Sequence, residues 1–116
     1  MDLYELWIVL QNWREEFTVK DNKIAAYAKA LAHPARVAIL QILIESSSCI
    51  CGDIVEELPL SQSTVSQHLK ELKEAGLIKG NIEGAKVCYC INEEEWADAK
   101  SYLTDLFKSF KGNKCC

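Results

Sequence analysis

The sequence predicts a mainly α-helical chain with one small β-hairpin, in the order helix, helix, helix, helix–turn–helix, hairpin, helix. Apolar residues recur at helical spacing over most of the 116 residues, two short helical segments meet at a tight proline turn, and two short apolar segments flank a glycine. The length suits a single small domain, which we assign to residues 1–110. Residues 111–116 are a polar, cysteine-containing tail that we expect to be mobile.

The first half of the chain predicts three helices. Asp2–Glu16 places its large apolar residues three and four positions apart, which forms one seam along a helix. Asp21–Ala32 follows as a second helix, with Asp21 as the expected N-cap. Because a residue before proline avoids helical backbone angles, the second helix ends at His33. The proline then suits the first turn of a third helix, Pro34–Glu45.

A helix–turn–helix unit is predicted next. Ile50–Glu57 predicts a short helix, Leu58-Pro59-Leu60 a turn, and Gln62–Ala75 a second helix that Ser61 caps and Gly76 ends. Two short helices joined by a tight turn, the second with a polar outer face, are typical of a unit that reads DNA.

A hairpin and a last helix complete the chain. Leu77–Ile82 and Lys86–Ile91 predict two strands around a turn at Glu83-Gly84, where a wing would follow the DNA-reading helix. Asn92 begins the last helix. The apolar seams of the first and last helices exceed what one small core can bury, so we expect them to pack together in a homodimer. The expected contacts join Leu3, Leu6, Leu10 and Trp13 to Trp96, Leu103, Leu106 and Phe110.

The predicted second helix of the unit carries polar side chains outward. Serine, threonine and glutamine side chains donate to and accept from base edges, and lysines neutralise phosphates. The competing interpretation is that these residues form only a solvated helix face. A lysine beside the wing turn could likewise serve only as a solubilising charge. His68 is interpreted as a hydrogen-bonding or phosphate-contacting residue rather than a metal ligand, and His33 as structural. The DNA-contacting candidates are Gln62, Ser63, Thr64, Ser66, Gln67, His68, Lys70, Lys79 and Lys86.

Charge and hydropathy restrict the cellular setting. The net charge of -4 gives no global sign of nucleic-acid binding, although the segment from Ser61 to Ile91 is mildly basic. Acidic residues stand where a signal peptide would be basic, and no uncharged apolar run approaches the length of a membrane span. We therefore expect a cytoplasmic protein with no membrane partner, whose six cysteines are reduced thiols.

The cysteines fall in three close pairs, which favours ligation or redox chemistry. Thiolate donors without carboxylate or imidazole select soft ions. Cys49 and Cys51 lie at a junction between loop and helix, where two side chains can converge on one ion. The third sulfur has to come from elsewhere. Cys88 and Cys90 share one side of a predicted strand and could instead be packing residues, whereas the tail offers no core to fill. The candidates for the third ligand are Cys88, Cys90, Cys115 and Cys116.

Two stretches, LAHPARVAILQIL and CICGDIVEELPLSQSTVSQHLKELKEAGLIKGNIEGAKVCYCI, resemble the ArsR/SmtB family of metal-responsive repressors. The resemblance spans roughly Ala25–Ile91 and implies a winged helix-turn-helix that binds operator DNA. The arsenic- and cadmium-sensing branches carry a Cys-x-Cys where Cys49 and Cys51 stand here, although Gly52 is a one-residue departure. The zinc-type site of aspartate and histidine on the family's last helix is missing.

These observations favour a dimeric repressor that leaves double-stranded operator DNA when its thiolates capture arsenite, antimonite or another soft ion. The ion is an effector, and no permanent cofactor is expected. The alternative is a redox-responsive repressor of the same fold, in which a disulfide replaces the ion. An enzyme is disfavoured, because the sequence has no Cys-x-x-Cys at a helix start, no Ser-His-Asp set and no phosphate-binding loop.

Overall fold

The computed structural model describes residues 2–7, 17–51, 58–83 and 86–113. Its element order confirms the predicted class, mainly helical with one hairpin. The helices are α1 (residues 3–7), α2 (Val19–Ala30), α3 (Pro34–Ser46), α4 (Gln62–Glu74) and α5 (Glu93–Lys108). The strands are β1 (Ile50–Cys51), β2 (Ile78–Glu83) and β3 (Lys86–Ile91). The remainder of the predicted first helix, residues 8–16, lies outside the described residues.

Helix α2 begins earlier than the sequence predicted. Thr18, not Asp21, is the N-cap: its hydroxyl accepts from the Asp21 backbone N–H at 3.1 Å, while the Asp21 carboxylate accepts from the Thr18 N–H at 3.3 Å. This reciprocal pair is a capping box, so Asp21 serves as its third helical residue. At the next boundary His33 caps α3 by accepting from the Ala35 N–H at 3.0 Å. The structural role predicted for His33 is therefore confirmed.

The predicted short helix Ile50–Glu57 is wrong at its start. Ile50 and Cys51 form strand β1, which pairs antiparallel with β3. The open edge of β3 has backbone groups that need partners, and an extended segment supplies them where a first helical turn would not. The result is a three-stranded sheet in the order β1-β3-β2. Residues 52–57 of the predicted helix lie outside the described residues.

Helix α4 is anchored in the core by its apolar face. Val65 and Leu72 are fully buried and Leu69 nearly so, in one cluster with residues of α3 and the start of β2. Ser61 is the N-cap, as predicted, and accepts from the Thr64 N–H at 3.3 Å. Gly76 follows the helix with φ +85°, a backbone conformation that favours glycine. The predicted start and end of this helix therefore agree with the structure to within a residue.

The hairpin connects α4 to α5. Strands β2 and β3 pair from Ile78 opposite Ile91 to Glu83 opposite Lys86, so Glu83 belongs to the strand rather than to the predicted turn. Gly84 lies outside the described residues. Asn92 caps α5 as predicted, through its side chain and the Glu95 N–H. Within the described part of the chain, no helix is long and apolar enough to cross a membrane.

Replacing Gly76 by alanine tests the turn that joins α4 to the β-hairpin. The left-handed backbone disfavours a side chain, and a Cβ there would come within 2.9 Å of the Glu95 Cγ. We expect Gly76→Ala to lower the free energy of unfolding by at least about 1 kcal/mol, measured by urea denaturation. Gly112→Ala is the control: Gly112 also has a positive φ, +102°, but an added Cβ there meets nothing within 4 Å, so the two variants differ in the contact with Glu95. Equal stability of the two variants would contradict this interpretation.

Candidate nucleic-acid interface and cysteine site

The outer face of α4 is exposed and polar, as the sequence predicted. Gln62, Ser63, Ser66, Gln67 and Lys70 are all exposed, on the side opposite the buried face of the helix. The side-chain amide of one of these residues is already oriented, since Gln67 Nε2 donates to the Glu71 carboxylate at 3.3 Å. The face therefore offers amide and hydroxyl groups suited to base edges, with one cation toward its end.

Thr64 is exposed, but its polar groups are used within the helix start. Its hydroxyl lies 2.9 Å from the Ser61 hydroxyl, and Ser63 lies 3.2 Å from the same oxygen. This hydroxyl cluster fixes the first turn of α4, where unpaired backbone N–H groups favour an anion such as phosphate.

His68 makes a hydrogen bond, one of the two predicted alternatives, but its burial contradicts its predicted place among the DNA-contacting residues. Its side chain is buried, 8% exposed, and Nδ1 accepts from the Arg36 Nε at 3.3 Å. The His33 ring lies 4.4 Å away, centroid to centroid. Burial lowers the pKa of His68, and the nearby His33 and Arg36 lower it further, against a smaller opposite effect of Glu71. His68 therefore joins α4 to α3 and does not face outward with the polar residues.

The two predicted wing lysines stand on neighbouring strands. Lys79 is exposed on β2, opposite Cys90 in the strand register. Lys86 is the first residue of β3 and pairs in register with Glu83. Lys86 flanks the hairpin turn as predicted, whereas Lys79 lies at the opposite end of the hairpin, close to the end of α4, so its predicted place beside the turn is wrong.

The loop after α3 directs the chain into the cysteine site. Ser46 Oγ lies 2.9 Å from the Leu43 carbonyl oxygen and 2.7 Å from that of Ser48. Ser47 adopts φ +53°, which reverses the chain direction at the end of the helix. Cys49, two residues after Ser47, is exposed, and β1 begins directly after it.

Two of the three cysteine pairs meet across strands β1 and β3. Cys49 and Cys90 form a disulfide, with their Cα atoms 4.4 Å apart. Two residues further along the chain, Cys51 lies opposite Cys88 in the strand register. Cys88 is also disulfide-bonded. The third pair, Cys115 and Cys116, lies outside the described residues.

The cysteine site is sheltered on one side and open on the other. Cys88 and Cys90 are buried, whereas Cys49 is exposed. A cleft of about 410 Å³ borders the Cys49–Cys90 bond, and Lys79 and Glu93 are among the residues that line it. Small molecules therefore have access to this bond. Among the described side chains, no group of three or more histidine, cysteine or acidic residues is placed to hold a metal ion.

Sequence reasoning missed two features of the site. The first is Arg36, which also donates to the Lys29 carbonyl at 2.9 Å and so connects α2, α3 and His68. No local pattern marked it. The second is the pairing of β1 with β3, which brings the two cysteine pairs together. Cys88 and Cys90 were predicted only as two of four candidates for a third ligand. The i, i+2 spacing of each pair places both side chains on one face of a strand, and it would have indicated the convergence had Cys49–Cys51 been predicted as extended.

A helix with a polar exposed face followed by a β-hairpin, packed on a helical core, is the arrangement of a winged helix-turn-helix protein. The model of the family described as bacterial regulatory protein, arsR family, matches residues 33–79. An uncharacterized HTH-type transcriptional regulator of Methanocaldococcus jannaschii is 41% identical over 75% of this chain and 98% of its own length. The chain belongs to the ArsR family of transcriptional regulators.

Solved structures agree with this assignment. The transcriptional repressor BigR from Xylella fastidiosa is 26% identical, with a TM-score of 0.59 over 86% of this chain and 98% of that one. A possible transcriptional regulator for arsenical resistance is 29% identical, with a TM-score of 0.60 over 74% of this chain and 84% of that one. The resemblance inferred from the sequence is confirmed, and the chain is a DNA-binding transcriptional repressor of this family.

The buried His68 predicts an acid-sensitive stability. Its pKa is lowered from 6.5 in the folded chain, so below pH 6.5 the unfolded chain takes up a proton that the folded chain resists. The free energy of unfolding should therefore fall as the pH drops below that value. His68→Gln, which keeps an acceptor for Arg36, should lose this part of the pH dependence in urea denaturation at several pH values. The same slope in both proteins would show that His68 titrates normally.

Proposed function

We propose that this repressor leaves its operator when its thiols capture a soft ion, with arsenite and antimonite as the leading effectors. The observation that carries the proposal is the meeting of Cys49 with Cys90 across β1 and β3. The pairing of these strands places one cysteine pair, at β1, beside the other pair, on strand β3 of the wing. The similarity to a possible regulator for arsenical resistance supports the choice of effector.

DNA contact is assigned to the exposed face of α4 and to the wing. In this proposal α4 lies in the major groove, where Gln62, Ser63, Ser66 and Gln67 meet base edges. Lys70 contacts the phosphate backbone, and Lys79 and Lys86 of the wing do the same. Thr64 contributes by fixing the helix start with Ser61. His68 is left out of the contact set, because it is buried against Arg36.

The proposal includes a homodimer formed by the two terminal regions. Leu3 and Leu6 are 85% and 46% exposed, and Leu106 and Phe110 are 46% and 68% exposed. Exposed apolar residues in such number mark an interaction surface. Trp96 and Leu103 line an open apolar cavity of about 370 Å³ between α2 and α5. Leu10 and Trp13, from the same predicted interface, lie outside the described residues.

The sensor in this proposal uses reduced Cys49 and Cys51, with Cys90 as the third sulfur. Arsenite takes three thiolates, and Cys90 is the best-supported third donor since it reaches Cys49 closely enough to bond. An effector has to bind the DNA-free conformation more tightly than the DNA-bound one. A bond across β1 and β3 restrains the wing relative to the segment that leads into α4, which gives such a difference a physical origin. A cytoplasmic location would keep these thiols reduced.

The Cys49–Cys90 disulfide itself favours a second function, a redox-responsive repressor. A hydroperoxide would oxidise the two thiols to the disulfide, with both thiol protons and the two electrons leaving in water and an alcohol. The bond would then restrain the same two strands as the ion. Arsenite protection of the thiols from alkylation distinguishes the two functions, since only the first requires tight binding of an ion to the reduced chain.

Two substitutions on α4 test the assigned DNA face. Gln67→Ala should weaken operator binding by about 1–3 kcal/mol and leave binding to random DNA nearly unchanged, because Gln67 contacts bases. Lys70→Ala should weaken both and reduce the salt dependence, because Lys70 contacts phosphate. Fluorescence anisotropy with a labelled operator at several salt concentrations measures both effects. Wild-type operator affinity of Gln67→Ala would refute the assigned face.

Serine substitutions test the sensor. Cys49→Ser and Cys51→Ser should still bind the operator but should no longer release it with arsenite, since two of the three sulfurs are at these positions. The double substitution of Cys115 and Cys116 by serine is the matched control and should respond as the wild type does. Operator release is measured with reduced protein over a range of arsenite concentrations. Release of the Cys49/Cys51 double variant at the wild-type concentration would place the sensor elsewhere.

A further inference from the structure

We infer that the reduced chain holds a divalent soft cation through four thiolates, those of Cys49, Cys51, Cys88 and Cys90, in a site that spans β1 and the wing. This inference rests on the proposed ion-dependent release and adds the number of ligands, the place of the site and the class of ion. Throughout, these four residues are called the cysteine quartet.

The strand register places the quartet at the corners of a small rectangle. Ile50 opposite Tyr89 and Cys51 opposite Cys88 define an antiparallel ladder, and one further step along it sets Cys49 opposite Cys90. Paired strands are about 4.8 Å apart, and residues two positions apart on a strand are separated by about 6.8 Å. Successive residues of a strand alternate between its two faces, so residues two positions apart share a face. All four quartet positions therefore belong to the same face of the sheet.

The residues between the cysteines occupy the other face. Ile50 and Tyr89 are partly buried and pack against the hydrophobic core. The quartet positions are therefore separated from the main core by the sheet itself. Cys88 and Cys90 are nevertheless buried, while Cys49 borders solvent and the cleft of about 410 Å³. A partly sheltered set of sulfurs with one open side suits a site that an ion can enter.

Four thiolates favour a different ion from three. Zn²⁺ and similar soft divalent cations are held tetrahedrally by four cysteines, with sulfur about 2.3 Å from zinc. Arsenite uses three thiolates and would leave one member of the quartet unused. The histidine and aspartate residues that would indicate a harder ion are absent from the four paired positions. The quartet should therefore bind Cd²⁺ or Zn²⁺ with a complete sulfur shell.

Binding requires the reduced chain. A low-molecular-weight thiol reduces the Cys49–Cys90 bond by exchange: two monothiols give two electrons and two protons, and leave as their own disulfide. Cys88, which is also disulfide-bonded, is freed by the same chemistry. The cation then displaces the four thiol protons, so its affinity should fall in acid. Oxidation and cation binding are thus mutually exclusive states of one site.

The test uses the full chain, reduced, with Cd²⁺ as the probe. Sulfur-to-cadmium absorbance in the ultraviolet and the cadmium NMR shift both report the number of bound thiolates. Each single serine variant of the quartet should lose about a quarter of the absorbance per ion, as expected for a four-sulfur shell. Each should also lower the affinity at least about tenfold, because even residues that only support a metal ligand cost that much when replaced. Double replacement of Cys115 and Cys116 by serine is the control and should change neither quantity.

Operator binding is measured on the same samples without cadmium, to show that each variant is folded. If Cys88→Ser does not bind the operator, Cys88→Ala replaces it, because alanine keeps the buried position apolar. Wild-type absorbance and affinity in the Cys88 variant would overturn the quartet. If cadmium releases the operator with fewer than four sulfurs, the quartet fails and the proposed function stands. If four sulfurs bind cadmium without releasing the operator, the quartet stands and the proposed function fails.

Discussion

The pairing of β1 with β3 is the contact on which the cysteine chemistry of this repressor depends. Ile50 opposite Tyr89 and Cys51 opposite Cys88 join the segment that leads into the helix–turn–helix to the central strand of the sheet, which is also a strand of the wing. The two cysteine pairs are 37 or more positions apart in the chain, and this strand pairing is what brings them together. Because the pairing is only two residues long, a bond or an ion across it can change how firmly the wing is held.

Helix α4, to which we assign the DNA contact, is positioned by a second, separate set of contacts. Val65 and Leu72 anchor α4 in the core, and His68 accepts a hydrogen bond from Arg36 of α3. Arg36 also donates to backbone carbonyls at the end of α2. The exposed face of α4 is thereby fixed relative to α2 and α3, while the wing depends on the sheet. The contacts that hold α4 are thus separate from the bond between Cys49 and Cys90 that links the wing to the chain before β1.

Most of the helical fold could be predicted from the sequence because its signals are local. Ser61 and Asn92 are good N-caps beside periodic apolar residues, and both cap the predicted helices. Thr18 and Asp21 are equally good caps by type, and only the reciprocal hydrogen bonds assign Thr18 to the cap. Strand β1 could not be predicted locally, since a two-residue strand exists only through its distant partner. The orientation of His68 likewise depends on Arg36, 32 positions away.

The central claim is that ion binding at the cysteines and operator binding each weaken the other. The most direct measurement is the Cd²⁺ affinity of the reduced chain with the operator absent and with the operator saturating. The account predicts that the operator weakens cadmium binding by the same factor by which cadmium weakens operator binding, on the order of 5–150-fold for a typical coupling. An unchanged cadmium affinity would show that the cysteines and the DNA-reading surface are independent, and would contradict the account.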